Sequence, residues 1–229
     1  ALKRSQLAIL KQEPAVVTYD TSKELELGVG LGCNGIIDVL LTPISEDSDN
    51  IRILEKCTST RRTHIVVTIT GVKSGIPGVE LGRSFYYDTG KEALEGMEAS
   101  EFKTQVLDKV RLALEEKKSR SHKYTSEDAD LTYHVEYVPA QYHMAIYGDN
   151  YDVYPLIQMA GVLDWEISLV GNVQKLKKEA LSNVKNIYPK SGTERPKIDD
   201  RTACVLMAHD FKTDVENMKR TICSPSPYI

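Results

Sequence analysis

The stretch after Pro139 alternates short apolar runs with amphipathic ones, an order that few folds accommodate. HMAIYG (His143 to Gly148) reads as a strand, and DVYPLIQMAGVL (Asp152 to Leu163) as a helix with Pro155 tolerated in its first turn. WEISLVG (Trp165 to Gly171) reads as a second strand and Lys175 to Ile187 as a second helix. A polar loop, YPKSGTERPKIDD, leads to a third strand, TACVLMA (Thr202 to Ala208). A last helix is expected from Thr213-Asp214-Val215-Glu216, a capping-box pattern. Strands that alternate with helices form βαβ units, with parallel strands and right-handed crossovers. The expectation for residues 140–229 is therefore a Rossmann-like parallel α/β domain.

Residues 1–139 follow a different plan. ALKRSQLAILKQE reads as a short amphipathic helix with Leu2, Leu7 and Leu10 near one face, and AVVTYD as a strand. IIDVLLTPI is a strand ended by Pro43, since proline cannot donate to a sheet ladder. HIVVTIT and GRSFYYD suggest two antiparallel strands around the loop GVKSGIPGVEL. Phe102, Val106, Val110 and Leu114 recur every fourth residue and predict a helix over Ser100 to Lys118. LTYHVEYV alternates strictly, so it predicts a half-buried strand with His134 on its polar side. The fold class expected is α/β, an N-terminal α+β domain followed by the Rossmann-like one.

Charge excludes some functions. The chain of 229 residues carries a formal net charge of −4, which argues against a nucleic-acid surface. Its one basic cluster, Lys117 to Lys123, precedes acidic SEDAD and reads as a solvated helix end and loop. No apolar run approaches a membrane span, and no signal peptide opens the sequence. Four widely spaced cysteines, without a C-x-x-C pair, suit a reducing cytoplasm better than a disulfide framework. The start at Ala1 and the end at PSPYI leave truncation as an expectation.

Two regions carry chemistry. GVGLGCNG (Gly28 to Gly35) places Cys33 among four glycines; such a loop permits close backbone approach, and a thiolate is a soft metal ligand or nucleophile. The second region is the carboxyl edge of the expected parallel sheet, where ligands gather. Gly148-Asp149-Asn150-Tyr151-Asp152 follows the first strand there, and His209-Asp210 follows the third. The dinucleotide fingerprint G-x-G-x-x-G is poorly matched, because Asn150 and Val153 stand where its later glycines belong. Asp149 and Asp152 would also place negative charge beside a pyrophosphate. His209 is a candidate general base, and Asp210 a candidate start for the last helix. Cys57 and His64 flank TSTRRT; a structural role is preferred for both over metal binding.

Three segments together resemble the XdhC/CoxI family, the xanthine dehydrogenase accessory factors. They are Val16 to Ile44, His143 to Gly171 and Arg201 to Met218. The specific part is the G-x-GC-x-G loop ahead of a proline-ended strand, with HD-x-x-x-D as a second match. The resemblance implies a chaperone that binds molybdenum cofactor (molybdopterin), a phosphorylated pterin dithiolene. It would protect the cofactor during sulfuration by a cysteine desulfurase and deliver it to a molybdenum hydroxylase such as xanthine dehydrogenase. A cytoplasmic homodimer with no turnover of its own is implied. The cofactor-loop match falls on Gly30, Gly32, Cys33, Asn34 and Gly35, with Cys33 the candidate metal ligand; the second match falls on Gly148, His209, Asp210 and Asp214. A GGCLE-type segment usual in the family has no counterpart here, so missing N-terminal and C-terminal parts are expected. The readings from other classes are an NAD(P)-linked oxidoreductase using the Rossmann-like domain, and a scaffold that only joins desulfurase to hydroxylase.

Overall fold

A computed structural model of the chain describes residues 2–20, 35–45, 48–98 and 100–229. It comprises two compact units, Ala1–Pro139 and Ala140–Ile229.

In the first unit the order is α1 (Leu2–Lys11), β1 (Ala15–Asp20), β2 (Ile36–Leu41), α2 (Asp49–Ser59) and β3 (His64–Ser74). Then follow β4 (Ser84–Asp88), β5 (Ala93–Leu94), α3 (Glu101–Glu116), β6 (Arg120–Thr125) and β7 (Asp130–Val138). β1 and β2 form an antiparallel pair, and the rest make an antiparallel sheet in the order β5-β4-β3-β7-β6. Alternation along β3 sorts its side chains. Ile65, Val67 and Ile69 join Leu131, Tyr133 and Val135 under the apolar stripe Phe102, Val106 and Val110 of α3. Val66 faces the other way, onto Ile53 and Cys57 of α2. Phe102 meets Tyr124 and Tyr133 edge-on, at centroid distances of 5.0 and 5.5 Å. Full burial of an aromatic of this kind stabilises by roughly 1.5–3 kcal/mol.

The ends of α3 are built locally. The Ser100 hydroxyl accepts from the Lys103 N–H at 3.1 Å, and Lys117 closes the helix at φ +54°. The basic cluster is not a loop beyond that point. Arg120 to Lys123 begin β6, an edge strand whose charged side chains suit an exposed ladder. α2 occupies a stretch to which the sequence pattern assigned no element. α1 forms as expected, but Leu2, Leu7 and Leu10 are exposed and the residue it buries is Ala8.

The second unit contains β8 (His143–Tyr147), α4 (Val153–Val162), β9 (Glu166–Val170), β10 (Asn186–Tyr188), β11 (Thr202–Leu206) and α5 (Phe211–Thr221). The strands are all parallel, in the order β10-β9-β8-β11. This is the expected Rossmann-like architecture, and the chain reverses its direction of travel across the sheet at β8. Ile146, Ile167 and Leu169 pack under Val153, Ile157 and Ala160 of α4. Ala145, Tyr147 and Cys204 face the opposite side.

The helix expected over Lys175 to Ile187 is absent. Two 3₁₀ turns, Val173–Lys175 and Lys178–Leu181, lead into β10 instead. Leu181 and Val184, three residues apart, both pack onto the α4 side of the core. The segment also runs close to α4: a Cβ at Gly161 would lie 2.5 Å from the Asn183 amide nitrogen. α5 starts earlier than the capping-box pattern placed it. Asp210 is its N-cap and accepts from the Thr213 N–H at 3.0 Å.

Candidate functional site

The carboxyl edge of the parallel sheet gathers the polar residues of the second unit. β8 ends in Gly148, where a Cβ would sit 2.5 Å from the Met207 carbonyl oxygen. Glycine is needed there so that the chain leaving β11 can pass. At the end of β9, a Cβ on Gly171 would meet both the Gly148 carbonyl oxygen and the Asp149 Cβ at 2.8 Å. Both glycines therefore pack strand end against strand end.

Asp149, 8% exposed, fastens that junction. Its Oδ2 accepts from the Asn172 N–H at 2.9 Å, and the Lys175 ammonium lies 3.4 Å from Oδ1. Asp152 heads α4, and its carboxylate pairs with the His209 imidazole Nε2. The two polar clusters expected on one sheet edge thus meet. His209 itself lies in the left-handed region at φ +54°. Neighbouring Asp210 faces α5 rather than the imidazole, and the Thr213 hydroxyl and N–H hold its carboxyl below the ordinary carboxylate range. Asp214 accepts from the Ala208 N–H at 3.0 Å. The HD-x-x-x-D segment is, locally, a device that turns the chain from β11 into α5.

Gly30, Gly32, Cys33 and Asn34 lie outside the described residues. Gly35 is described; among the described residues nothing lies within 4 Å of the position its Cβ would take. The β1–β2 register runs to Asp20 opposite Ile36, so the described flanks of the glycine–cysteine segment are brought together.

His64 is a core residue. Its Nε2–H donates to the Thr60 carbonyl at 3.1 Å, and Nδ1 accepts from the Tyr86 hydroxyl at 2.9 Å. Burial pushes its pKa below the ordinary histidine value. Burial also raises the Cys57 thiol, with the Glu136 charge adding to the effect. No group of three or more metal-ligating side chains occurs among the described residues.

Several polar residues escaped the sequence reading. At the amino edge of the sheet, His143 is buried between the Ser168 hydroxyl, 2.9 Å from Nε2, and the Thr202 hydroxyl, 3.3 Å from Nδ1. At the carboxyl edge, Arg195 folds its own loop by donating to the Gly192 and Glu194 carbonyls at 2.6 and 2.7 Å. Lys190 and Arg220 stand beside it around a small cavity. These residues come from a strand, a loop and a helix far apart in sequence, and no local motif links them.

A solved structure shares this architecture. It is a protein from Bacillus halodurans described as a xanthine dehydrogenase, with a TM-score of 0.67 and 18% identity. The match covers 95% of this chain and 60% of that one, so this chain spans less than two thirds of its length. No family model matches the sequence, and no curated protein does. At this identity the likeness is one of fold. No helix among the described residues is long and apolar enough to cross a membrane.

Proposed function

We propose that this chain is an accessory protein that binds molybdenum cofactor, supports its sulfuration and delivers it to a molybdenum hydroxylase of the xanthine dehydrogenase type. The observation that carries the reading is the glycine-flanked cysteine, Gly28 to Gly35, in a chain whose fold extends over 95% of its length like that of the Bacillus halodurans protein. In this reading the protein acts in the cytoplasm as a homodimer and holds the cofactor while a cysteine desulfurase installs its terminal sulfur.

The residues differ in how well they fit such a group. Cys33 offers a soft thiolate for a metal, and the glycines around it supply N–H groups that a phosphate accepts from. The second-unit matches already have partners within the fold. Gly148 is closed off by Met207, and Asp210 and Asp214 are carboxylates already spent on helix and strand N–H groups. His209 is engaged by Asp152. The cofactor role therefore rests on the Cys33 loop, and these four residues serve the fold of the second unit.

The test is the molybdenum and pterin content of the protein purified from cells that make the cofactor. Retention should fall about tenfold in Cys33→Ala, the loss expected for one metal–ligand or charge-assisted contact. Equal retention by the two proteins would remove Cys33 from the site. A second reading, an NAD(P)-linked oxidoreductase, draws on the parallel order β10-β9-β8-β11. Saturable NADH binding without molybdopterin binding would favour it. Asp149 and Asp152 beside α4 count against it, since a pyrophosphate seeks a helix N-terminus free of carboxylates.

A further inference from the structure

The second unit contains unsatisfied polar groups that the proposed cofactor role does not use. A cavity of about 90 Å³ lies between the ends of β8 and β9 and the flank of α5. Tyr147 and Asn217 line it and are 2% and 7% exposed. The Tyr147 hydroxyl and the Asn217 amide are both groups able to donate a hydrogen bond. The Arg195 Nε, also on the wall, is buried and unbonded among the described residues. Buried polar groups are bonded in the great majority of cases, so this unmet guanidinium nitrogen requires an explanation.

The charges around it supply one. Lys190, Arg195 and Arg220 place three cations on the wall. Two acids also line it. Asp149 is already neutralised by Lys175 and the Asn172 N–H, and Glu216 sits on the exposed face of α5. We propose that this cavity binds the terminal phosphate of a phosphate monoester. Arg195, Arg220 and Lys190 balance its charge, and Tyr147 and Asn217 act as neutral donors.

A dianionic phosphate offers acceptor oxygens enough for that donor set, and guanidinium–phosphate pairs are among the stronger hydrogen bonds. Tyr147 suits the role, because burial raises its pKa to about 12 and keeps the phenol protonated. The cavity, about 90 Å³, has room for a phosphate group. An open groove of about 910 Å³ adjoins it and shares Asp149, Gly171 and Lys190. Asn172, Ile187 and Pro189 line that groove and leave room for the organic part of the ligand. The position differs from a dinucleotide's pyrophosphate seat, which would lie at the head of α4 beside Asp152.

The experiment is calorimetric titration of the full chain with inorganic phosphate, AMP, adenosine and NADH. Inorganic phosphate and AMP should compete for one site, and adenosine should not bind. Tyr147→Phe removes only the hydroxyl, and Arg220→Gln alters an exposed side chain, so both variants should keep the wild-type thermal midpoint. Each should weaken AMP binding about tenfold, the loss expected for one hydrogen bond to a charged group. No saturable binding of either phosphate, an affinity unchanged in either folded variant, or a site that takes NADH but not AMP would each overturn the proposal. Molybdenum content does not enter this measurement, so the cofactor reading and the phosphate cavity stand or fall separately.

Discussion

The His209 imidazole pairs with the Asp152 carboxylate across the carboxyl edge of the parallel sheet, joining the turn after β11 to the head of α4. His209 does so from a left-handed backbone conformation that L-residues disfavour by roughly 1–2 kcal/mol. Two effects of opposite sign therefore meet at one residue. His209→Ala should lose the contact with Asp152 and keep the strain, whereas His209→Gly should lose the contact and relieve the strain. The expected outcome is a glycine variant more stable than the alanine variant by about 1 kcal/mol. Chemical denaturation followed by Trp165 fluorescence measures this, since the chain's single tryptophan lies in the same unit. Equal stability of the two variants would show that the backbone there carries no strain.

Gly148 and Gly35 make a matched pair for a second test. Alanine at Gly148 would force a Cβ to 2.5 Å from the Met207 carbonyl and 2.8 Å from the Met207 Cγ, and backbone cannot yield as a side chain does. Overpacking of this kind costs about 1–3 kcal/mol. No described residue lies within 4 Å of a Cβ at Gly35, so Gly35→Ala should be neutral or slightly stabilising through the unfolded chain. Thermal melts of the two variants separate a glycine kept for packing from one that packing does not require. A Gly148→Ala protein that melts with the wild type would contradict the close approach of β8 and β11.

The alternation of period after Pro139 disclosed the parallel sheet because its central strands, β8 and β9, are largely buried on both faces and read as short apolar runs. Lys175 to Ile187 misled for a physical reason. Its lysines and leucines have good helix propensity, yet the segment packs Leu181 and Val184 onto the core and passes Asn183 close against Gly161, and no local pattern reports those tertiary contacts. His209, Asp210 and Asp214 were visible as a cluster because they are adjacent in sequence. Their cap bonds to Thr213 and Ala208 became visible only once the turn was seen in three dimensions. Tyr147, Arg195 and Asn217 were illegible for the opposite reason. Each is ordinary in its own element, and only the strand order brings them to one cavity.

Alkaline stability should expose two buried phenols. Burial raises Tyr133 in the first unit and Tyr147 in the second from the ordinary value of 10.0 to about 12. A raised folded-state pKa means that the folded protein holds the proton more tightly. The resulting stability is complete below pH 10 and is lost as pH rises through 12. Each group should contribute about 2–3 kcal/mol across that window. Denaturation at stepped pH should show both units weakening together, and Tyr147→Phe should flatten the response of the second unit alone. An unchanged slope in that variant would place the loss elsewhere.

On the acid side the sensitive group is His64. The Tyr86 hydroxyl accepts from the Arg62 guanidinium at 3.0 Å while donating to the His64 Nδ1. A protonated imidazole carries a proton on Nδ1, so the Tyr86 oxygen would then face two donors and lose its own acceptor. Burial already lowers this pKa, and the nearby Arg62 charge adds to it. The stability from neutral His64 is therefore present above the ordinary value of 6.5 and declines as pH falls below it. Amide hydrogen exchange in β3 and β4 should accelerate as pH falls from 6.5, beyond the change expected from intrinsic chemistry. His64→Asn should lower stability at neutral pH by about 1–3 kcal/mol and abolish the excess acceleration. Persistence of that acceleration in the variant would assign the acid sensitivity to another group.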